Sequence, residues 1–134
     1  MTTTPPENAV KPEDFDSEKD HLRIERSDSG LVVVTLDYPD RRNAMSAPMT
    51  AAWGRLAAAI KADASVRAVV VTGAGTAFCS GGDTGWIGGD PDASVDQLRT
   101  RMMAFYRTWL SMRDVEVPVI AAINGAAVGA GACV

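Results

Sequence analysis

At 134 residues the chain has room for one modest domain or part of a larger one, and 46% hydrophobic with 22% charged residues is ordinary for a globular protein. Thirteen basic against 17 acidic residues leave a net charge of -4 with no block of like charge. That argues against a nucleic-acid partner, because phosphate binding needs a concentrated basic surface.

No apolar run reaches the length that spans a bilayer, so no membrane partner is expected. The start, Met1 to Asn8, lacks the charged and apolar regions of a signal peptide. Cys79 and Cys133 sit far apart without metal-ligand spacing, so a reduced, cytoplasmic protein without a metal site is expected. Residues 1–20 are rich in Pro, Glu, Asp and Thr and poor in large apolar side chains, and they read as a flexible tail.

Order is expected from His21. The alternation over His21 to Arg26, the turn cluster Ser27 to Gly30 and the β-branched run Leu31 to Asp37 predict a hairpin. His21, the only histidine, is given no catalytic role. Tyr38 to Asn43 breaks the second strand. Ser46 as N-cap and Pro48 in the first turn then open a helix, and Met49, Trp53, Leu56 and Ile60 form its apolar face through about Ala62. Val66 to Thr72 is a nearly continuous apolar run ending in Gly73, as in a strand buried on both faces. A Gly-rich stretch follows to Gly89. Ser94 and Gln97 make a capping-box pattern, and Leu98, Met102, Phe105, Trp109 and Met112 continue as a helical stripe. Val117 to Ile123 reads as another buried strand, with Asn124-Gly125 turning out of it. The order, ββα then βα then β, predicts an α/β fold. The chain stops inside Gly129 to Val134, a small-residue helix start without a stop signal, which suggests a truncated chain.

Three segments carry the chemistry: Arg41 to Ser46, Ala77 to Asp83, and Ile123 to Ala132. The last two place small residues where a parallel strand meets a helix start, and ligands bind open α/β sheets at such places. Without bulky side chains the backbone can approach a ligand, and N–H groups at a helix N-terminus favour negative charge. One N–H from each loop could converge on a carbonyl oxygen and stabilise an enolate-like anion, forming an oxyanion hole. The same glycines serve equally well in two tight strand-helix turns, and spacing does not choose between these readings.

In order and spacing the segments resemble the signature of the enoyl-CoA hydratase/isomerase (crotonase) superfamily. Asn43 to Met45 resembles its first CoA-contacting segment, Ala77 to Asp83 its first oxyanion-hole motif and Asn124 to Gly131 its second. The resemblance covers residues 21–134 and identifies them as the N-terminal part of a crotonase-like domain. It implies a spiral of ββα units, assembly as a homotrimer or dimer of trimers, and an acyl-CoA thioester as substrate. Coenzyme A enters as part of the substrate, and no separate cofactor is implied. The N–H donors of the oxyanion hole would be Gly82 and Ala130. Arg41, Arg42, Ala44, Ser80, Gly81, Asp83, Thr84, Gly129 and Cys133 fall at substrate-contacting positions. Arg41 and Arg42 would face the CoA phosphates, although such an Arg pair is equally a solvated turn. Ser80 would lie near the adenine, Asp83 would order its loop, and Gly85 to Gly89 would line the acyl pocket, unless Trp86 is packed structure.

One departure matters. Hydratases of the family carry a glutamate where this chain has Cys133, whose thiol is a poor substitute for a carboxylate, and no acidic residue follows Glu116. This weakens hydration relative to isomerisation or other enolate chemistry. It also keeps open a non-catalytic module for acyl-CoA binding or assembly. A dinucleotide-binding domain is disfavoured, because the turn Gly73-Ala74-Gly75 is followed by Thr76, Ala77 and Phe78 instead of further glycines.

Overall fold

The computed structural model describes residues 6–134, and the first five positions of the expected tail lie outside the described residues. A short helix, α1 (Ser17–Asp20), is capped by the Asp16 carboxylate and leads into the hairpin of β1 (Leu22–Arg26) and β2 (Leu31–Leu36). Gly30 closes that hairpin with φ +90°, and a Cβ there would stand 2.4 Å from the Ser65 carbonyl oxygen. Only glycine fits both the backbone angle and the contact. Helix α2 (Ala47–Ala62) follows, its first turn closed by Ser46 Oγ accepting from Met49 N–H.

Strand β3 (Ala68–Gly73) then pairs parallel with β2, with Val32 opposite Val69 and Val34 opposite Val71. After β4 (Ala77–Cys79), α3 (Thr84–Gly88) and α4 (Val95–Leu110), strand β5 (Val119–Ala121) joins β3 in parallel. The main sheet therefore runs β1-β2-β3-β5, and β4 pairs with β6 (Ala126–Ala127) in a separate two-stranded ribbon. Three successive units emerge: β1-β2-α2, β3-β4-α3/α4, and β5-β6 with a 3-10 turn over Gly129–Ala132. This is the expected ββα repeat.

The core lies between the sheet and the two long helices. Met49, Trp53, Leu56 and Ile60 of α2 are buried as their spacing predicts, and Phe105 and Trp109 of α4 meet them. Trp53 and Trp109 stack with ring centroids 4.7 Å apart. Each indole N–H finds an acceptor: Trp53 donates to the Trp109 carbonyl at 3.1 Å and Trp109 to Thr50 Oγ1 at 3.0 Å. The pair thus buries two large apolar surfaces without an orphaned donor.

The structure departs from the sequence expectation in three places. Strands β4 and β6 are too short, and too rich in Ala and Gly around them, to announce themselves by periodicity. Strand β5 is exposed along its whole length, because it forms the edge of the main sheet and has β3 alone beside it. Residues 10–20, expected within a flexible tail, are packed on the body: Val10 is buried and Phe15 lies under the Arg55 guanidinium.

Asp63 explains the last difference. Its buried carboxylate accepts from Val10 N–H at 2.8 Å, from Arg26 Nη1 at 2.6 Å, and from Ser65 N–H and Oγ–H at 3.0 and 2.6 Å. Burial alone would raise its pKa, but the hydrogen bonds from Ser65, Val10 and Arg26 outweigh burial and hold it at about 2. Since the folded value is depressed, the stabilisation is complete above the unfolded value and is lost as pH falls from about 4 towards 2. Asp63→Asn should cost about 2 kcal/mol at neutral pH and flatten the acid limb of stability. Denaturant melts of both proteins at pH 7 and pH 3 check this, with a smaller difference expected at pH 3.

Candidate functional site

The three segments singled out in the sequence meet around β4. Asn43 has φ +58° and is fully buried, and Asn tolerates this left-handed backbone better than most residues. Its Oδ1 accepts from Tyr38 N–H at 2.9 Å. Its Nδ2 donates to the carbonyls of Ala74, Ala77 and Phe78 at 2.9, 2.9 and 3.2 Å. From the other side, Asn124 Oδ1 accepts from Gly73 N–H at 3.1 Å, and Nδ2 donates to Gly75 and Ala77 carbonyls at 3.1 and 3.2 Å. Sequence reasoning assigned neither amide to the site. The available signal was an Asn between a charged turn and apolar Met45, and an Asn-Gly pair leaving a strand.

The second and third segments approach backbone to backbone. Val128 N–H donates to the Cys79 carbonyl at 3.0 Å, continuing the β4-β6 pairing of Ala77 with Ala126 and Cys79 with Ala127. A Cβ at Gly131 would stand 2.4 Å from the Cys79 carbonyl oxygen. At Gly81, with φ +101°, a Cβ would stand 2.8 Å from the Val128 oxygen and 3.7 Å from Ala130 N. The first segment closes the other side, with Met45 N–H donating to the Gly81 carbonyl at 2.8 Å and a parallel bridge joining Met45 to Gly82. Ala130 lies in the 3-10 turn that starts at Gly129, itself at φ +58°. The N–H groups of Met45, Ser80, Val128, Gly131 and Cys133 have backbone acceptors, whereas those of Gly82 and Ala130 have none among the described residues.

The remaining candidates surround this junction. Arg41 and Arg42 are exposed, and their carbonyls are held by Ser80, whose Oγ–H donates to Arg41 at 3.1 Å and whose N–H donates to Arg42 at 3.0 Å. Ala44 lies half-buried between them and Met45. Asp83 caps α3 by accepting from Gly85 N–H at 3.0 Å, and Thr84 is the exposed first residue of that helix. Trp86 packs on Phe105 with ring centroids 5.6 Å apart, so part of its surface belongs to the core. Cys133 is exposed, and its N–H closes the 3-10 turn on the Ala130 carbonyl at 3.0 Å. A cavity of about 490 Å³ opens beside Cys133 and Val134, with Trp109, Met112, Val117 and Val119 in its wall. No group of three potential metal ligands occurs among the described residues, and no helix there is long and apolar enough to cross a membrane.

A sequence model described as "Enoyl-CoA hydratase/isomerase" matches residues 26–134. The chain belongs to the enoyl-CoA hydratase/isomerase family. It is 40% identical over 107 residues to a probable enoyl-CoA hydratase of Mycobacterium tuberculosis, covering 78% of this chain and 40% of the relative. A probable enoyl-CoA hydratase of Rhodobacter capsulatus is 43% identical over 113 residues, covering 83% of this chain and 41% of its own length. Among solved structures, Pseudomonas aeruginosa AtuE superimposes with TM-score 0.76 at 34% identity, covering 83% of this chain and 43% of that one. The chain thus spans about two fifths of the length of these family members. The ββα spiral described above is the family's crotonase fold.

The two thiols differ in setting. Cys79 is completely buried, and burial pushes its pKa up although the backbone near Gly81 works against that. Its Sγ donates to the Asn43 carbonyl at 3.2 Å. In the folded protein Cys79 should therefore resist an alkylating reagent, including at mildly alkaline pH, and should react only on denaturation. Mass mapping of alkylated peptides before and after unfolding checks this; rapid native labelling at Cys79 would contradict its burial.

Proposed function

We propose that this chain supplies the acyl-CoA-binding, oxyanion-stabilising part of an enoyl-CoA hydratase/isomerase-family enzyme. The observation that carries the reading is the convergence of the Gly81-Gly82 and Gly129-Ala130 loops, with the Gly82 and Ala130 N–H groups left without acceptors among the described residues. A thioester carbonyl placed between them would be polarised. Removal of the α-proton would send its electron pair towards the carbonyl oxygen, where the two N–H groups would stabilise the enolate. In this reading Arg41 and Arg42 offer charge to the CoA phosphates, an anion suited to a guanidinium. Ala44, Ser80, Gly81, Asp83, Thr84, Gly129 and Cys133 shape the substrate channel, and no cofactor beyond the substrate's own CoA takes part. We assign the proton acceptor to a residue beyond Val134, since Cys133 follows the second motif and no acidic residue follows Glu116. The cytoplasm and a trimeric assembly complete the proposal.

The reaction is enolate-forming, with isomerisation favoured over hydration because, by the resemblance to the family's second motif, Cys133 falls where its hydratases carry a glutamate. A relative 32% identical over 106 residues is a 1,2-epoxyphenylacetyl-CoA isomerase of Escherichia coli, so relatives of this chain include an isomerase. The Cys133 substitution also supports a second reading, a module that binds acyl-CoA without turnover. Exchange of the α-protons of a saturated acyl-CoA in heavy water separates the two, because exchange needs both an oxyanion hole and a base.

Gly82→Pro removes one proposed donor. In the intact protein it should slow α-proton exchange by roughly 100- to 1000-fold while CoA still binds. Unchanged exchange in a variant with an unchanged circular dichroism spectrum would overturn the oxyanion assignment.

A further inference from the structure

We propose that Asn43 and Asn124 are positioning residues that set where the Gly82 N–H points. This rests on the oxyanion reading of the site and goes beyond it by assigning the side chains that hold the donor in place.

Both amides converge on one acceptor, the Ala77 carbonyl, at 2.9 Å from Asn43 and 3.2 Å from Asn124. Ala77 begins β4, and the chain reaches Gly82 five residues later. Asn43 comes from the first segment, and Asn124 leaves β5 towards Ala130. The shared carbonyl therefore ties all three segments together just before the donor. Asn43 is fully buried with every polar atom engaged, and Asn124 bonds with both its oxygen and its nitrogen.

The surrounding backbone leaves no slack. A Cβ at Gly73 would meet the Ala77 and Phe78 carbonyl oxygens at 2.4 and 2.5 Å and Asn43 Nδ2 at 2.8 Å. At Gly125 it would meet the Thr76 oxygen at 2.0 Å. In so close a junction, replacing an amide donor with a carboxylate sets negative charge against carbonyl oxygens. The strand must move to relieve it, and the Gly82 N–H moves with the strand. An oxyanion hole is sensitive to such motion, because its donors act within a few tenths of an ångström of hydrogen-bonding distance.

The experiment uses the intact protein and a 3-ketoacyl-CoA, whose enolate absorbs in the near ultraviolet. An oxyanion hole raises the enolisation constant of this ligand on binding, and CoA alone reports binding that does not involve the hole. Asn124→Asp keeps the acceptor for Gly73 N–H and removes the donor to Ala77, and Asn43→Asp keeps the acceptor for Tyr38 N–H while removing the donor to Ala77. The exposed Asn124 position keeps the test open if the Asn43 variant fails to fold. The expected result is that Asn124→Asp lowers the bound enolisation constant roughly 10- to 100-fold, with CoA affinity within about twofold of the wild type. A wild-type enolisation constant in a folded Asn124→Asp variant would overturn the positioning role. So would parallel losses of enolisation and CoA affinity, which would mark Asn124 as merely structural. If the wild-type protein itself does not raise the enolisation constant, the oxyanion reading fails first and the positioning role falls with it.

Discussion

The carbonyl oxygen of Ala77 is the point on which the arrangement of the site depends. A backbone carbonyl has two lone pairs, and here two asparagine side chains from distant parts of the chain occupy them. Buried amides and carbonyls left without partners are costly, so a junction of this kind holds its geometry more firmly than apolar packing alone. The glycines around it have a common cause. Gly73, Gly125 and Gly131 each stand where a Cβ would come within 2.6 Å of a backbone oxygen. Backbone must approach backbone for the β4-β6 ribbon to form, and that ribbon brings the Gly82 and Ala130 loops together.

Around this polar junction the scaffold is held by ordinary means. Parallel pairing of β2 with β3 buries Val32, Val34, Val69 and Val71, and the Trp53-Trp109 pair locks α2 to α4. Asp63 adds a clasp at the opposite end of α2, gathering the N-terminal segment, β1 and the loop after α2 onto one carboxylate. The two polar centres differ in kind. The Ala77 junction is neutral and insensitive to pH, whereas the Asp63 clasp is charged and weakens in acid.

The sequence was legible where physical signals are strong and local. Helix α2 with its Ser46 cap, α4 with its Ser94-Gln97 capping box, and the Leu31–Leu36 strand follow from periodicity and cap chemistry. The three segments carry a family signature, and the match over residues 26–134 bears out the family. Long-range polar contacts were not legible. Nothing around Val10 announces that its N–H reaches Asp63 across 53 positions, so the tail was read too far into the chain. Strand β5 has a buried strand's composition but stands at a sheet edge, because composition reports how apolar a strand is and not how many neighbours it has. Asn43 and Asn124 each look like turn residues, and only three-dimensional proximity shows that they share a partner.

That sharing bears on how substitutions at the junction combine. Side chains that meet at a common partner do not contribute additively, whereas well-separated sites usually do. The first loss at Ala77 breaks the bridge between segments, and a second loss acts on a carbonyl already freed on one side. Positions 43 and 124 therefore form one unit of variation, epistatic in their effects although 81 positions apart. A change tolerated at one depends on what stands at the other.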